Sequence, residues 1–456
     1  MRRVVKVSRI RIIITIIVVV LTTLLTGCTG KEPNEIAYVV ALGIDSTDDD
    51  NYKITIQYAN TTQISGGASE SGGKAGSEIV DNVTIEAPNI YAGVGLANNI
   101  VSKSFSMSHA KLIVFSKEIA EKGVKDMIET LVRSEEIRPD VFIAVANTTA
   151  NDYLTAVNPE MEVNPAQYYQ LIYQKNQLVG IPDGQLREFF TGLYTDNYDS
   201  ILPVAGVIDG SGGNSQNDDK GQSKDSQNEG SEGSSESLDS FESKSSNEKD
   251  ENEKEKDAEK NTSKYEYDIK NYVGGETTIE KKNKAEAIGA AVFEKDKMVG
   301  ELGEVETEIC KILKGDYTYS YLTYYNNDTP DIPITVKTTQ QKKPKYKIDT
   351  DKKTVDIELY IESDLYSLPE DYNVENKIED FERNVANYTS STCTEFINNF
   401  TKKYNSDILK LNEKVKYKFL TNNQYNWFKK NVGWSEYKFS VCTDFKVRRT
   451  GLIVRE

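Results

Sequence analysis

Residues 36–44 read IAYVVALGI, an almost uninterrupted apolar run. A polar turn from Asp45 to Asn51 follows, and residues 52–58 then read YKITIQY, in which polar and apolar side chains alternate. A short apolar run is typical of a buried strand, whereas alternation is typical of a strand with one exposed face. These two segments therefore predict a β-hairpin at the start of the folded chain.

The segment from Ile36 to Ile208 continues with helical and extended patterns in alternation. Asn164 followed by Pro165 is a typical helix start, because asparagine can cap the first turn and proline is favoured at its first position. Alternation of this kind indicates an α+β or α/β region. Further helices are predicted over residues 90–101, 119–132 and 149–157, and strands over residues 111–116 and 141–146.

The segment from Tyr265 to Glu456 predicts a sheet packed on one long helix. Apolar side chains at helical spacing run from Ile378 to Tyr404, and a shorter helix ends at Gly315, a typical residue after a helix C-terminus. The whole chain is therefore expected to be a multi-domain α+β protein, with two or three domains whose mixed or antiparallel sheets pack against helices. The strands of this segment are predicted over residues 285–293, 318–325, 334–338, 346–349, 355–361, 414–419 and 437–447.

Residues 209–264 have a composition that sets them apart from both flanking regions. Only Leu238, Phe241 and Ala258 are apolar, and sixteen acidic residues stand beside eight lysines. Such a segment buries too little apolar surface to offset its conformational entropy. It is predicted to be a disordered acidic insertion, and a tolerated insertion is favoured over a recognition tail. The two flanking regions are then residues 28–208 and 265–456.

The first 27 residues predict a lipoprotein signal peptide. Five basic residues precede an apolar run from Ile12 to Leu25, which is short for a membrane span of ~20 residues. Small side chains before Cys28 give a peptidase access, so we expect cleavage between Gly27 and Cys28 and a diacylglycerol on the Cys28 thiol. With an acyl chain on the new amino group, this lipid would hold the chain on the outer face of the cytoplasmic membrane. The alternative is an uncleaved membrane anchor.

Composition excludes several classes of function. The net charge of −17 at pH 7 argues against nucleic acid as a partner, because phosphate binding requires a basic surface. Besides Cys28 the chain has Cys310, Cys393 and Cys442, which are far apart in sequence. A disulfide between two of them is compatible with export, but buried or free thiols are favoured. His109 is the only histidine, which excludes zinc sites built on several histidines.

Motifs that suggest nucleotide or calcium binding are incomplete. Gly93-x-Gly95 lacks the third glycine of a dinucleotide site, and the loop at Gly73-Lys74 lacks the hydroxyl residue of a phosphate loop. Asp45 and residues 48–50 lack the spacing of a calcium loop, so an exposed hairpin turn is favoured. We therefore expect neither a cofactor nor a metal.

Signals for catalysis or an aromatic ligand surface are also weak. Any Ser-His-Asp triad would have to use His109, yet Ser106 and Ser108 lie in no nucleophile elbow. The tyrosines of residues 317–325 suit a half-buried strand better than a ligand surface. The chain is therefore expected not to be an enzyme.

Several blocks of sequence occur in an order and spacing typical of one family. They are the lipobox, residues 34–45 (NEIAYVVALGID), 108–116 (SHAKLIVFS), 133–139 (RSEEIRP), 289–293 (GAAVF) and 297–300 (KMVG), with Trp427, Trp434 and Thr450-Gly451 near the end. Together they resemble the Ger(x)C spore germination lipoproteins over nearly all of the chain except the acidic insertion. The chain departs from the family after Cys28, where residues 29–32 (TGKE) replace a Trp-Asp-Arg-Glu-like stretch.

The resemblance implies a fold and a role. It implies three α+β domains, so the N-terminal region is expected to split in two near Ala146. It also implies a non-enzymatic C subunit of a nutrient germinant receptor, needed for nutrient-triggered spore germination. Such a subunit works beside an A subunit and a multi-spanning B subunit at the spore inner membrane. The alternative is a lipid-anchored solute-binding protein of a transporter, which requires two lobes around a ligand cleft.

Overall fold

The structure is a computed structural model, and it describes most of the chain outside its two ends and the acidic insertion. The predicted lipid site at Gly27 and Cys28, the loop at Gly73-Lys74 and the insertion 209–264 lie outside the described residues. Within the described part, no helix is both long and apolar enough to cross a membrane. The described residues are 13–17, 35–49, 51–59, 80–158, 162, 164–174, 180–195, 197–208, 265–266, 271–277, 283–326, 329–367, 377–404 and 406–450.

Strands and helices alternate through the described residues. The strands are β1 (Ile36–Ser46), β2 (Tyr52–Ala59), β3 (Val80–Ala87), β4 (Ser104–Ser106), β5 (Leu112–Ser116), β6 (Phe142–Ala146), β7 (Ile201–Val207), β8 (Tyr265–Glu266), β9 (Ala285–Glu294), β10 (Lys297–Leu302), β11 (Tyr319–Asn326), β12 (Thr329–Thr339), β13 (Lys345–Asp349), β14 (Thr354–Ser367) and β15 (Lys438–Arg449). The helices are α1 (Ile90–Ala97), α2 (Lys117–Lys122), α3 (Lys125–Val132), α4 (Ala150–Ala156), α5 (Pro165–Gln174), α6 (Leu186–Thr195), α7 (Glu304–Lys314), α8 (Ile378–Lys403), α9 (Leu411–Val415) and α10 (Asn422–Asn431).

The first sheet is mixed and has the strand order β10-β9-β7-β6-β5-β1-β2-β3, with β4 beside the start of β1. The predicted hairpin is confirmed, since β1 and β2 pair antiparallel with Ile44 opposite Ile54. From β1 to β7 the neighbouring strands run parallel, and β9 and β10 close that edge antiparallel.

Helices cover both faces of this first sheet. Leu42 and Ile44 of β1 belong to a core shared with α1, α2, α3 and α6, whereas Val40 belongs to a core shared with α4 and α5. A parallel strand that is buried on both faces is apolar almost throughout. This burial explains why residues 36–44 form an apolar run and do not alternate.

The second sheet has the order β13-β14-β12-β11-β8, and β15 pairs parallel with β14 along its other edge. Val385, Ile397 and Phe400 of α8 are buried in the same core as β14 and β15. The predicted packing of a sheet on a long helix is therefore confirmed, as is the α+β class with mixed sheets.

Two local predictions are wrong. Residues 414–419 are not a strand but the end of α9 and a following 3₁₀ turn (Lys416–Lys418), because Leu411 and Val415 bury at helical spacing. Residues 119–132 form two helices and not one, since Gly123 between α2 and α3 has φ of 122°, a value that glycine adopts readily. The sequence patterns also gave no sign of β3, β7, α6 or α10.

The boundary between the two sheets does not coincide with the boundary between the two regions that were predicted from the sequence. Strands β9 and β10, from the predicted C-terminal region, complete the first sheet beside β7. The expected division near Ala146 is not a break in this sheet, because β6 pairs with β7 through Val145 and Val204. After β10 the chain passes through α7 from the first sheet to β11 of the second sheet, to which the earlier β8 also belongs. The ends of α6, β9 and α8 meet where the two sheets adjoin.

Candidate functional site at the junction of the two sheets

A polar cleft of about 530 Å³ opens where the two sheets adjoin. Three segments that are distant in sequence meet there. They are the α6–β7 connection with Asp199, the β9–β10 turn with Lys295, and the segment after α8 with Asp407. Lys295 has a positive φ of 57°, typical of a tight hairpin turn. The cleft is also lined by Tyr198, Lys430 and Trp434.

Asp199 joins the three segments through backbone hydrogen bonds. Its Oδ1 accepts from the Lys295 amide at 2.9 Å, and its Oδ2 accepts from the Asp407 amide at 2.8 Å. In return the Asp199 amide donates to the Asp407 carbonyl at 3.1 Å. Burial raises the pKa of the Asp199 carboxyl above its ordinary value, although both backbone donors oppose that shift.

Asp407 is a buried carboxyl that caps the start of α9. Its side chain is 5% exposed, and its two oxygens accept from the amides of Leu411 and Asn412 at 2.8 Å each. Burial raises its pKa to about 7, even though both amides favour the charged form. Asp407 therefore stabilises the α9 start and the junction together.

Further polar contacts surround the two aspartates. The Lys410 ammonium lies 3.1 Å from Glu188 of α6 and 4.2 Å from the centre of the Tyr198 ring. Lys429 of α10 donates to the Thr195 carbonyl at 3.1 Å, and Ser406 donates to the Phe293 carbonyl at 2.9 Å. Contacts from α6, β9 and the C-terminal segment thus fix the two sheets against each other. The junction can act as a rigid polar connection or hold a small polar molecule.

Asp45, expected in an exposed turn, is instead buried and structural. It is 5% exposed, and its oxygens accept from the amides of Ala150 and Asn151 at 2.6 and 3.1 Å. The carboxylate therefore caps the N-terminus of α4, where it satisfies amides that an anionic ligand would otherwise bind. Asp48 and Asp49 remain in the exposed turn.

His109 lies on an exposed loop in contact with Ser108 and Tyr38. Its Nδ1 is 3.0 Å from the Ser108 hydroxyl, which is 2.9 Å from the Ser106 hydroxyl. Its ring packs edge-on against Tyr38 with 4.8 Å between centroids. No carboxylate of a described residue hydrogen-bonds the ring, so these contacts do not form a triad.

The three cysteines of the described part are free thiols, as favoured from the sequence. Cys310 and Cys393 are buried in the core of the second sheet, and burial raises the pKa of the Cys393 thiol to about 12. Cys442 is exposed on β15. Such buried thiols are unreactive and serve as small apolar side chains.

The remaining candidate motifs are explained by packing. A Cβ on Gly93 would come within 2.6 Å of Ile54, so this glycine allows α1 to approach β2. On β11, Tyr324 is buried and Tyr321 is half exposed against Tyr366, as in an ordinary half-buried strand. Among the described residues, no three His, Cys, Asp or Glu side chains are grouped to hold a metal.

Sequence patterns did not single out Asp199 or Asp407. The Asp407 to Asp199 hydrogen bond joins residues 208 positions apart, and periodicity carries no information about such a pair. Only Asp407 had a local signal, because an aspartate shortly before an apolar run is a typical helix start.

Both halves of the chain match known families of germination proteins. Residues 30–207 match the family described as spore germination protein N-terminal domain. Residues 288–451 match the family described as spore germination B3/GerAC like, C-terminal. The two matches leave out the acidic insertion and include the strands of both sheets other than β8 and the first residues of β9.

The sequence identity to individual relatives is low. The chain is 26% identical to spore germination protein KC of Bacillus subtilis (strain 168), over 35% of this chain and 42% of that protein. It is 26% identical to spore germination protein B3 of the same strain, over 30% of this chain and 36% of that protein. The matched region thus spans less than half the length of these relatives. A crystal structure of the GerBC protein aligns with a TM-score of 0.47 and 15% identity, over 89% of this chain and 96% of that one.

Proposed function

The chain belongs to the GerAC-like family of spore germination proteins, and we propose that it is a lipid-anchored, non-enzymatic subunit of a nutrient germinant receptor. One observation carries this proposal. Two family matches, in the right order, cover residues 30–207 and 288–451 and account for most of both sheets. The role is therefore assigned to the chain as a whole and not to a single motif.

The proposed mechanism is assembly. A diacylglycerol on Cys28, with an acyl chain on its amino group, anchors the chain on the outer face of the spore inner membrane. The junction around Asp199 and Asp407 keeps the two sheets in one orientation, so that surfaces on both can meet the A and B receptor subunits together. Nutrient binding then acts on a complex in which this chain is a structural member.

Purification of the tagged full chain from spore inner membranes tests this assignment. We expect a multi-spanning, transporter-like protein and an A subunit to co-purify with the wild-type chain and to be identified by mass spectrometry. A matched preparation from a strain that lacks the B-subunit gene should lose both partners. Recovery of the chain alone from gently solubilised membranes would contradict the assignment.

The junction cleft allows a test of the alternative role as a solute-binding protein. Its volume of about 530 Å³ suits a small ligand, but contacts such as Ser406 to Phe293 oppose the lobe movement that such proteins use. We expect a thermal-shift screen of amino acids and sugars to give no large stabilisation of the isolated chain. Strong stabilisation by one small molecule without partner subunits would favour the alternative.

A further inference from the structure

The segment from Lys416 to Lys430 leaves large apolar side chains in solvent. Tyr417 is 92% exposed, Leu420 is 95% exposed and Trp427 is 64% exposed. A surface helix normally directs its apolar residues toward the core. Helix α10 does so with Tyr425 and Phe428, so Trp427 on its outer face contributes little to the core. We call the outer surface of residues 416–430 the lysine–aromatic face.

Two of these exposed side chains, Leu420 and Trp427, lie around an open groove. The groove has a volume of about 560 Å³, and both Leu420 and Trp427 line it, together with Phe419 and Lys418. The apolar residues therefore share one surface and are not scattered singly, and a shared apolar surface is typical of an interaction site.

The charge of this segment is opposite to that of the whole chain. Between Lys416 and Lys430 there are four lysines and no acidic residue, a local charge of +4. The whole chain has 55 basic and 72 acidic residues. Lys416, Lys418 and Lys430 are exposed and therefore present positive charge to a partner beside the apolar side chains. The face thus complements a surface that is both apolar and anionic.

We propose that the lysine–aromatic face enters the head-group region of a membrane that contains anionic phospholipids. Tryptophan and tyrosine favour the boundary between lipid and water, and lysines beside them attract anionic head groups. Lysine is depleted in interfaces between proteins, whereas it is enriched on helices that lie in membrane surfaces. The composition therefore favours lipid over a protein partner.

This inference rests on the proposed function in one respect, which is that the lipid on Cys28 brings the face to the membrane. From Cys28 to the start of β1 at Ile36 the chain spans at most ~29 Å when fully extended. A second contact through Trp427 and Leu420 would fix the orientation of the body above the membrane. That orientation decides which surface of the two sheets faces the receptor partners.

Fluorescence quenching by brominated lipids tests the proposal on the full chain. The chain has two tryptophans, and the other one, Trp434, is 7% exposed and donates to Asn412. We therefore expect bromine in the acyl chains to quench up to half of the emission when the full chain is reconstituted in vesicles that contain phosphatidylglycerol. The Trp427→Phe variant, whose altered side chain lies outside the core, should lose this quenching.

Charge variants separate the electrostatic part of the contact. Lys416→Glu combined with Lys430→Glu should lower the quenching roughly tenfold, as should pure phosphatidylcholine vesicles. The matched control, Lys125→Glu combined with Lys402→Glu, changes the net charge equally and should leave quenching unchanged. Far-UV circular dichroism of each variant confirms that the fold is retained.

Three results would overturn the proposal. The first is the absence of quenching in anionic vesicles with the wild-type chain. The second is equal quenching in both pairs of charge variants. The third is a change in the fluorescence of Trp427 that occurs only when purified receptor subunits are added. Flotation of the same vesicles measures the N-terminal anchor separately, so a failure of the anchor and a failure of the lysine–aromatic face are distinguishable.

Discussion

Glu308 on α7 is a carboxyl whose environment makes stability depend on pH. It is 6% exposed, and burial raises its pKa to about 7 from 4.5, with Glu304 adding to the shift. Tyr317, Ser320 and Lys311 oppose the shift but do not cancel it. The folded state therefore favours the protonated carboxyl, and the free energy of unfolding falls by roughly 3 kcal/mol as pH rises from 4.5 through 7.

We expect Glu308→Gln to remove this part of the pH dependence. At pH 8 the variant should be more stable than the wild type by about 1–3 kcal/mol, whereas at pH 4.5 the two should differ little. Urea unfolding of the full chain in detergent, followed by circular dichroism, measures the difference. Glu395→Gln on the exposed side of α8 is the matched control. An unchanged pH dependence in Glu308→Gln would show that this carboxyl is charged in the folded state.

Asp45 gives a second prediction for a single residue. Asp45→Ala should lower the free energy of unfolding by about 2–3 kcal/mol, because it leaves the amides of Ala150 and Asn151 at the start of α4 without acceptors. Asp48→Ala in the exposed part of the same turn should change it by at most ~0.5 kcal/mol. Calcium should not shift the melting temperature of the wild-type chain. Equal effects of the two substitutions, or stabilisation by calcium, would contradict the capping role.

At the scale of elements, patterns that depend on nearby residues predicted the structure well. The hairpin of β1 and β2, the capped start of α5 at Pro165 and the long helix α8 all follow from spacing along the chain. The strand predicted over residues 414–419 was wrong, because lysines at every second position gave the alternation that is typical of a strand. In the structure Leu411 and Val415 are buried at helical spacing. Tertiary burial therefore decided this element against its local pattern.

The contacts at the junction of the two sheets could not be predicted from the sequence. They lead to a prediction that concerns two segments of the chain at once. Asp199→Ala should lower the free energy of unfolding by about 2–3 kcal/mol, because the amides of Lys295 and Asp407 lose their acceptors. Trypsin should then cut faster near Lys410, at the start of α9. Limited proteolysis with mass spectrometry measures this change, and Asp126→Ala on the exposed side of α3 is the control. Equal cleavage rates in both variants would argue against a fixed junction.

At the scale of the whole molecule, sequence alone predicted the α+β class and the family, but not how the chain is divided. The disordered insertion over residues 209–264 stays a prediction from composition. The order of short blocks indicated the family that the matches over residues 30–207 and 288–451 confirm. The addition of β9 and β10 to the first sheet was missed. Pairing between β7 and β9 joins strands on opposite sides of the insertion, and no local pattern encodes such a pair.

Nutrient-triggered germination of spores tests the central claim most directly. In a strain that lacks this gene and its paralogues, release of dipicolinic acid after nutrient addition should be lost. The wild-type gene should restore it, and Cys28→Ser should restore little or none, because a chain without the lipid is not held beside its partners. Unchanged germination of the deletion strain with every nutrient would contradict the assignment to a germinant receptor.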